Sequence, residues 1–331
     1  MKFINNNHIT DATLNLALEE WAVRNLDFEN EDYLLFYINR NAIIIGKHQN
    51  TIEEINADYV KKKNIQVVRR ISGGGTVYHD DGNLNFSFLT KFSQDSIHNF
   101  KKFTEPVIDL LKSLGVEAEL NGRNDITVGE KKISGNAQFS NTKAMFSHGT
   151  LLFNSNLDDV VEALNVKMDK IESKGIKSIR SRVGNITEYM KKKIDIFEFR
   201  QKLLESIFKV GENYPVYNLL KSQWKEVQEL ANTKYRNWDW NYGRSPEFNI
   251  QKVKRFHFGQ IDARIDVKEG IIKDLKIYGD FLAHGDTSEI ESRLINQKYK
   301  EEEMIQALIG LNISYHLGDI SIEDFAKFLL E

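Results

Sequence analysis

A run of three glycines directly after a predicted strand is the first feature with chemical consequences. The segment from Arg69 to Asp80 reads Arg-Arg-Ile-Ser-Gly-Gly-Gly-Thr-Val-Tyr-His-Asp. Such glycines expose backbone N–H groups and admit a ligand too close for any Cβ. Two neighbouring arginines suit a phosphate or a carboxylate. The segment matches neither a Walker A motif nor a dinucleotide fingerprint, so it predicts a loop that binds an anion or another ligand, with a plain glycine turn as the alternative.

Two further segments place amide, carboxylate and ammonium groups near strand ends. Asn124 and Asp125 lie in Asn-Gly-Arg-Asn-Asp-Ile, where they could hydrogen-bond a ligand or hold Mg²⁺ together with phosphate oxygens. Lys131 and Lys132 open the segment Lys-Lys-Ile-Ser-Gly-Asn-Ala-Gln. Neighbouring residues of a strand face opposite sides, so only one of these lysines can contact an α-phosphate. An Asx turn and a solvated lysine are the alternatives.

A histidine and a basic loop extend the set of candidates. His148 begins His-Gly-Thr-Leu-Leu-Phe and could lie at a binding site, or it could be a structural hydrogen-bonding partner. The loop from Lys174 to Asn185 carries Lys177, Arg180 and Arg182. It fits the binding of a phosphate or of an acidic partner, with a solvated charged turn as the alternative.

The composition excludes several classes of protein. The 331 residues include no cysteine, which rules out disulfides, thiolate metal sites and a mechanism through a cysteine thioester. A net charge of −3 argues against general nucleic-acid binding. The apolar runs are much shorter than a membrane span of about 20 residues, and the N-terminus lacks the apolar segment of a signal peptide. We therefore expect a cytoplasmic protein that binds neither nucleic acid nor membrane.

Hydrophobic periodicity predicts an α+β chain that would position these groups. Helices are expected from Asp11 to Asn25, with Thr10 or Asp11 as N-cap, from Thr51 to about Lys63, and over the apolar positions between Phe103 and Leu114. The runs Tyr33–Ile38 and Ala42–Ile45, separated by Asn39-Arg40-Asn41, predict a hairpin. Further strands are expected over Ile65–Arg69 and Leu84–Phe88, and around Ile126, Ile133 and Leu151.

The chain length favours one large and one small domain. The aromatic segment that ends at Tyr242 runs into Gly243-Arg244-Ser245-Pro246, where we place the boundary. Beyond it, strands are expected over Phe256–Val267 and Ile271–Tyr278, joined at Glu269-Gly270. Helices should then begin at the capping boxes of Ser288 and Ser321.

Four segments, in this order and at this spacing, resemble the lipoate-protein ligase A family of the biotin/lipoate ligase superfamily. They are the glycine run, the Asn-Asp pair, Lys-Ile-Ser-Gly and His-Gly-Thr-Leu-Leu. The resemblance covers essentially the whole chain. It implies an α+β catalytic domain for adenylation and transfer over residues 1–244, with mixed β-sheets flanked by helices. A small C-terminal α+β accessory domain would occupy residues 245–331.

The activity that the resemblance implies is lipoate salvage. The enzyme would activate free lipoate with ATP and Mg²⁺ to lipoyl-AMP. It would then transfer the lipoyl group to a specific lysine of an apo lipoyl domain, either of the E2 subunit of a 2-oxoacid dehydrogenase or of the glycine cleavage H protein. A monomer is expected.

The resemblance also assigns roles to residues. Lys132 would be the catalytic residue that contacts the α-phosphate and the lipoyl carboxylate, and Asp125 would hold the metal. Lys47 stands where the family often has arginine in a Gly-Arg-x-Gln-Asn segment, which leaves the role of the Gly46–Asn50 turn open. The residues expected to bind substrate or adenylate are Arg70, Ser72, Gly73, Gly74, Gly75, Thr76, His79, Asn83, Asn124, Gly135, His148, Gly149, Arg180 and Arg182.

Three other functions compete with this interpretation. A lipoyl or octanoyl transferase of the same superfamily would need a cysteine, and the chain has none. A biotin ligase shares the adenylation chemistry, but Arg-Arg-Ile-Ser-Gly-Gly-Gly and the C-terminal domain resemble the lipoate branch more closely. A protein that binds lipoyl adenylate without turnover has no evident need for Lys132 and Asp125. The preferred acceptor, the selectivity between octanoate and lipoate, and any domain rearrangement between the two half-reactions stay open.

Overall fold

The predicted helix and strand signals fold into an α+β chain whose two units are built from alternating segments of the sequence. The computed structural model describes residues 1–164, 182–211, 213–242 and 248–331. The first unit consists of Met1–Ile44, Glu53–Val68 and Val77–Asn237, and the second of Ile45–Ile52, Arg69–Thr76 and Trp238–Glu331. The boundary predicted between residues 244 and 245 falls within 243–247, which lie outside the described residues, so it stays a prediction.

The strands and helices of the described residues have the following bounds. The strands are β1 Lys2–Ile4, β2 Tyr33–Tyr37, β3 Ala42–Ile45, β4 Gln66–Arg69, β5 Val77–His79, β6 Asn83–Lys91, β7 Ala118–Asn121, β8 Asp125–Val128, β9 Lys131–Ser140, β10 Ala144–Leu152, β11 Val216–Tyr217, β12 Ile250–Phe256, β13 Gly259–Lys268 and β14 Ile271–Gly279. The α-helices are α1 Ala12–Asn25, α2 Thr51–Glu54, α3 Ala57–Lys63, α4 Phe100–Ser113, α5 Leu157–Ala163, α6 Ile196–Phe208, α7 Lys221–Leu230, α8 Trp238–Asn241, α9 Ser288–Leu294, α10 Glu301–Leu308, α11 Ile313–Leu317 and α12 Ile322–Leu330.

An eight-stranded mixed sheet organises the first unit, in the order β11-β1-β2-β6-β10-β9-β8-β7. In this order, β11, β1 and β2 run parallel to one another. Every later pair of neighbours, from β2 and β6 to β8 and β7, is antiparallel. On β6, Leu84, Phe86 and Phe88 join the apolar core that α4 and α6 cover. The residues between them point to the opposite face, where α1 packs on β6 and β10. That opposite face is therefore polar although it is buried.

Strand β3 forms a smaller sheet with β4 and β5, in the order β4-β3-β5. This arrangement makes the predicted hairpin of β2 and β3 wrong, because the two strands belong to different sheets. Every residue of both strands is buried, so each strand needs neighbours of its own on both sides. Instead of closing a tight turn, the backbone N–H of Arg40 donates to Thr10 O.

The helix predicted from Thr51 to Lys63 is split at Ile55 and Asn56. Asn56 caps α3, since its side chain accepts from the N–H of Tyr59. The Thr51 hydroxyl donates to Asn241 O at 2.5 Å and accepts from the Arg69 guanidinium at 2.7 Å. The helix at Asp11 is confirmed, because the Asp11 side chain accepts from the N–H of Thr13.

The C-terminal part of the second unit packs its helices against a three-stranded antiparallel sheet, β12-β13-β14. The turn at Glu269-Gly270 is confirmed, and both residues adopt positive φ angles of 54° and 74°. The strand predicted over Phe256–Val267 is interrupted between β12 and β13. Ser321 caps α12 as expected. Among the described residues, no helix combines the length and the apolar character needed to cross a membrane.

A buried carboxylate ties α1 to the end of α7 and the turn that follows. Glu20 accepts from Lys234 Nζ at 2.8 Å, from the Tyr235 hydroxyl at 2.6 Å and from Arg24 Nε at 2.8 Å. Burial alone would raise its pKa, but the two cations and the hydroxyl outweigh burial and lower it. Burial, and then Glu20 itself, raise the pKa of Tyr235. Glu20 is thus ionised in the folded protein and holds α1 by charge.

We expect Glu20→Gln to lower the free energy of unfolding at pH 7 by about 1.5–3 kcal/mol, because bonds to a charged group are lost. Since folding lowers the pKa of Glu20, the stabilisation is complete above the ordinary value of 4.5 and disappears as pH falls through the folded value. Urea denaturation of both proteins between pH 7 and pH 3 should therefore show the difference shrinking with acid. The control is Glu29→Gln, which removes an exposed pair with Lys91 and should change stability by less than about 0.5 kcal/mol. A pH-independent difference for Glu20→Gln would contradict the electrostatic explanation.

Candidate functional site

The glycine loop of the second unit is shaped from inside by Arg70. Its guanidinium donates to Gly73 O at 2.7 Å, to Gly75 O at 2.8 Å and to the Ser72 hydroxyl at 3.0 Å. The side chain is buried, at 6% exposure. Arg70 thus fixes the loop conformation and places a buried cation against the backbone of Gly73 and Gly75.

The glycines in and beside this loop have different surroundings. A Cβ on Gly73 would lie 2.4 Å from Phe281 O, so Gly73 is needed for packing within the second unit. A Cβ on Gly46 would lie 1.9 Å from Gly74 O, so the Gly46–Asn50 turn packs directly on the loop. A Cβ on Gly75 would meet nothing within 4 Å. Gly75 therefore borders open space in which a ligand could lie.

Arg69 is a structural residue that the sequence analysis grouped with Arg70 as an anion ligand. Its side chain is 1% exposed and donates to Gly46 O at 2.9 Å, Gln49 O at 2.6 Å and Trp240 O at 2.9 Å. The alternation of β4 sends neighbouring side chains to opposite faces, which is the one sequence signal that the two arginines differ. Arg69 orders the Gly46–Asn50 turn.

Lys47 acquires a structural role from the same unit. Its ammonium donates to Gly285 O at 3.0 Å and lies 3.5 Å from an Asp286 carboxylate oxygen. Lysine in place of the family's arginine therefore still joins this turn to the residues that precede α9.

In the first unit, β8 and β9 bring Lys132 and Asp125 together. The Lys132 ammonium lies 2.8 Å from Asp125 Oδ1, and the two side chains are 39% and 37% exposed. Lys131 instead lies 3.7 Å from a Glu188 carboxylate oxygen, so the two lysines have different partners as expected. A half-exposed cation beside a carboxylate can exchange that partner for a phosphate without leaving solvent.

Asn124 and Gly135 are held close to this pair. The Asn136 N–H donates to Asn124 O at 3.0 Å, and the Asn124 amide donates back to Asn136 O. A Cβ on Gly135 would lie 3.0 Å from the Lys132 ammonium, and one on Gly149 would lie 2.1 Å from Asn136 Oδ1. Glycine at both positions thus gives room to the side chains of the candidate site.

His148 lies further along β10 and hydrogen-bonds a residue that the sequence analysis missed. Its Nδ1 lies 3.0 Å from both carboxylate oxygens of Glu19, and both side chains are almost fully buried. In the strand register, His148 is opposite Ala137 on one side and Ser87 on the other. The sequence did contain a sign of this pair, because Glu19 is a charged residue on the apolar side of α1.

His79 and Asn83 lie at the same polar face. His79 Nδ1 is 3.1 Å from the Asn39 amide, which also accepts from Asn15. Asn83 donates to Asn85 Oδ1 at 3.1 Å, while its own Oδ1 is buried and meets no hydrogen-bond donor in the described part of the chain. Buried acceptors are rarely left unsatisfied, so Asn83 is a candidate for direct ligand contact.

The basic loop is described only at its end. Arg180 and Lys177 lie outside the described residues. Arg182 is exposed, and the next residue, Val183, forms a parallel bridge with Lys132. Gly184 also donates its N–H to Lys132 O at 3.0 Å. The last residues of the loop thus run directly beside the lysine strand.

The predicted site residues therefore form two sets. Arg70, Ser72 and Gly73–Thr76 lie in the second unit. The first unit contains Asn124, Asp125, Lys132, Gly135 and Arg182 around β8 and β9, and His79, Asn83 and His148 at the polar sheet face. Gly149 is opposite Phe86 and faces the apolar side of the same sheet. Among the residues that the structure describes, no three His, Cys, Asp or Glu side chains form a metal cluster.

Two family models match the chain. The model of the lipoyl protein ligase A/B catalytic domain matches residues 11–208, and that of the bacterial lipoate protein ligase C-terminus matches residues 245–329. The α+β architecture, with mixed sheets flanked by helices and a C-terminal region of its own, is thereby confirmed. The chain belongs to the lipoate-protein ligase family.

Curated relatives and solved structures agree with this assignment. A lipoate-protein ligase of Bacillus subtilis is 56% identical over 99% of this chain and 100% of its own length. Lipoate-protein ligase 1 of Staphylococcus aureus is 50% identical over 99% of this chain and 100% of its own length.

Three solved structures share the fold. LipL1 of P. falciparum in complex with lipoate has a TM-score of 0.76 and 28% identity, and the match covers 94% of each chain. A bipartite ligase of Thermoplasma acidophilum, reported with its E2 lipoyl domain, has a TM-score of 0.66 and 30% identity over 75% of this chain and 98% of its own. A lipoate-protein ligase A bound with ATP has a TM-score of 0.62 and 29% identity over 73% of this chain and 98% of its own.

A matched pair of glycine substitutions tests the packing of the loop. We expect Gly46→Ala to destabilise the protein by about 1–3 kcal/mol or more, because the new Cβ would overlap Gly74 O. Gly75→Ala has space and an ordinary φ, so its unfolding midpoint in urea should stay equal or rise slightly. Equal stability losses in the two variants would show that packing on the loop does not distinguish these glycines.

Proposed function

We propose that the protein is an ATP-dependent, AMP-forming lipoate-protein ligase that activates free lipoate and transfers the lipoyl group to a lysine of an acceptor protein. The Lys132–Asp125 pair carries this proposal. It offers a partly exposed cation 2.8 Å from a carboxylate, next to glycines that leave room for a substrate. The family membership, and the lipoate and ATP in the related structures, support the same chemistry.

In the first step, a carboxylate oxygen of lipoate attacks the α-phosphorus of ATP, the bond to the β-phosphate oxygen breaks, and pyrophosphate leaves. We propose that Lys132 binds both the α-phosphate and the lipoyl carboxylate, which brings two anions together and stabilises the charge that develops between them. The exposed backbone at Gly75 and the cation of Arg70 would hold the acyl end. Asn83 would donate or accept a hydrogen bond at the buried face.

In the second step, the amine of the acceptor lysine attacks the acyl carbon, the acyl–phosphate bond breaks, and AMP leaves. The attacking nitrogen loses a proton and becomes the amide nitrogen. No enzyme nucleophile is needed, which agrees with a chain that contains no cysteine. Catalysis therefore rests on position and charge.

Mg²⁺ fits this site as an ion bound mainly by the substrate. Mg²⁺ commonly uses one or two carboxylates together with phosphate oxygens and water. Asp125 would provide the carboxylate, and Asn124 an amide oxygen. When bound, the ion would neutralise phosphate charge. Once phosphate engages Lys132, Asp125 would no longer need that lysine as its partner.

We propose an apo lipoyl domain as the acceptor, from an E2 subunit or from the glycine cleavage H protein. The archaeal relative reported with its E2 lipoyl domain supports the first of these. We also propose that Arg180 and Arg182 contact the adenylate phosphate. Residues 1–244 would act as the catalytic domain and residues 245–331 as the accessory domain, and the enzyme would work as a cytoplasmic monomer. Light scattering on a sizing column would test the monomer.

Lys132→Ala should abolish formation of lipoyl-AMP, because the cation that neutralises the α-phosphate is removed. The assay incubates the full chain with ATP, Mg²⁺, lipoate and an apo lipoyl domain, and follows pyrophosphate release and acceptor mass. The matched control is Lys131→Ala, whose side chain contacts Glu188 and should leave the rate within about threefold.

The variants and the acceptor separate the possible outcomes. A loss of at least about 100-fold in Lys132→Ala but not in Lys131→Ala is the expected result. Equal activity of both variants would overturn the role of Lys132. Adenylate without transfer would point to the other acceptor, whereas no adenylate from the unmodified protein would favour a binding protein over a ligase.

A further inference from the structure

A cavity in the first unit lies at the ends of β2 and β6. Its volume is about 450 Å³, within the range of small-molecule sites. It is lined by Leu84 of β6, by the end of β2, by the segment from Asn6 to Thr10 and by the start of α6. Leu84 and Asn83 point to opposite faces of β6, and neither Asn83 nor any other described residue of the predicted site lines this cavity.

One wall of the cavity carries a cation without an anionic partner. Among the described residues, the Arg200 guanidinium has no carboxylate within salt-bridge distance and no hydrogen-bond acceptor, and it lies 5.4 Å from the centre of the Phe3 ring. Burial lowers the pKa of Arg200. Contact with an aromatic ring offsets only part of the cost of removing a guanidinium from water. An anion bound in the cavity would offset the remaining desolvation cost of the guanidinium.

The other lining groups are mostly apolar. Ile9, Ile38, Leu84 and Ile196 surround the space, and Phe197 stands at its rim with 59% of its surface exposed. The second arginine, Arg40, is already paired with Asp81 at 2.9 Å, so this pair adds little net charge. Besides the polar groups of Asn6, His8, Thr10 and Tyr37, the cavity therefore offers one cation that is unpaired within the described residues and a set of apolar side chains.

The rim of the cavity is a turn with strained backbone. Asn7 and His8 both adopt left-handed φ angles, of 54° and 55°. Amide side chains hold this turn, since Asn6 Nδ2 donates to Ile9 O at 3.1 Å and Asn15 Nδ2 donates to the same oxygen at 2.9 Å. Two consecutive non-glycine residues in this conformation cost free energy, which is commonly retained at functional sites.

We propose that this cavity binds a small amphipathic carboxylate, with its carboxylate on Arg200 and its apolar part against Ile38, Leu84 and Phe197. A simple anion such as inorganic phosphate would satisfy Arg200 but would leave the apolar lining in water. An uncharged apolar molecule would fill the lining but would leave the guanidinium unpaired. Only a ligand with both parts matches the cavity.

The test uses the full chain and 4-fluorophenylacetate, followed by fluorine NMR. Binding should weaken at least about tenfold in Arg200→Gln, because a charge-assisted pair is lost, and should also weaken in Phe197→Ala. Lys202→Gln is the matched control, since Lys202 lies on the same helix, pairs with Glu198 and does not line the cavity. It should bind as the unmodified protein does.

The remaining outcomes would each overturn the proposal. Equal binding by all variants would place the probe elsewhere, for example at the lipoate site. Equally tight binding of inorganic phosphate, or of the amide of the probe, would show that the site does not need both parts of the ligand. If Arg200→Gln fails to fold, Phe197→Ala still decides, because its exposed ring can be removed without opening the core.

Discussion

The guanidinium of Arg69 is the interaction on which the order of the second unit's binding loops depends. It is buried and donates to carbonyls of the Gly46–Asn50 turn and of α8, while its own backbone N–H donates to Asn241 Oδ1 at 2.8 Å. Several carbonyl acceptors spread around one planar cation can satisfy it without a buried carboxylate. Without the guanidinium, all of these buried carbonyls would lose a donor at once. Leaving buried acceptors unsatisfied costs more free energy than each hydrogen bond contributes to stability. The glycine loop, which packs on Gly46, depends on the same arrangement.

A second constraint is the polar face of the large sheet in the first unit. Asn83, Asn85, Ser87 and His148 are all buried there, although buried polar groups stabilise a protein less than apolar ones of the same shape. The opposite face of β6 shows that the strand can pack apolar residues well. Such an arrangement is best explained by a ligand that these groups receive, because stability alone would favour an apolar face.

Local signals made part of this structure predictable from sequence. The caps at Asp11 and Ser321 and the turn at Glu269-Gly270 depend on residues within a few positions of one another, so their patterns were sufficient. Motif spacing identified the Lys132 region for the same reason.

The interactions that the sequence did not reveal join distant parts of the chain. The hairpin of β2 and β3 looked correct locally, but strand partners are chosen by the whole sheet. Arg69 meets Trp240 and Asn241 about 170 positions away, and Glu19 meets His148 across 129 positions. No spacing rule covers such pairs. Residue types alone could therefore suggest a ligand for Arg69 but not a backbone partner.

The exposure of the Lys132–Asp125 pair suits a residue that must change partners. An exposed ion pair contributes only about 0–1 kcal/mol, because water solvates both charges. Binding of a phosphate to Lys132 would therefore cost little in lost pairing and would free the Asp125 carboxylate for another partner. A fully buried pair would have to be desolvated and broken, at several kcal/mol. Half-burial thus keeps the lysine positioned by β9 while leaving its charge available to the substrate.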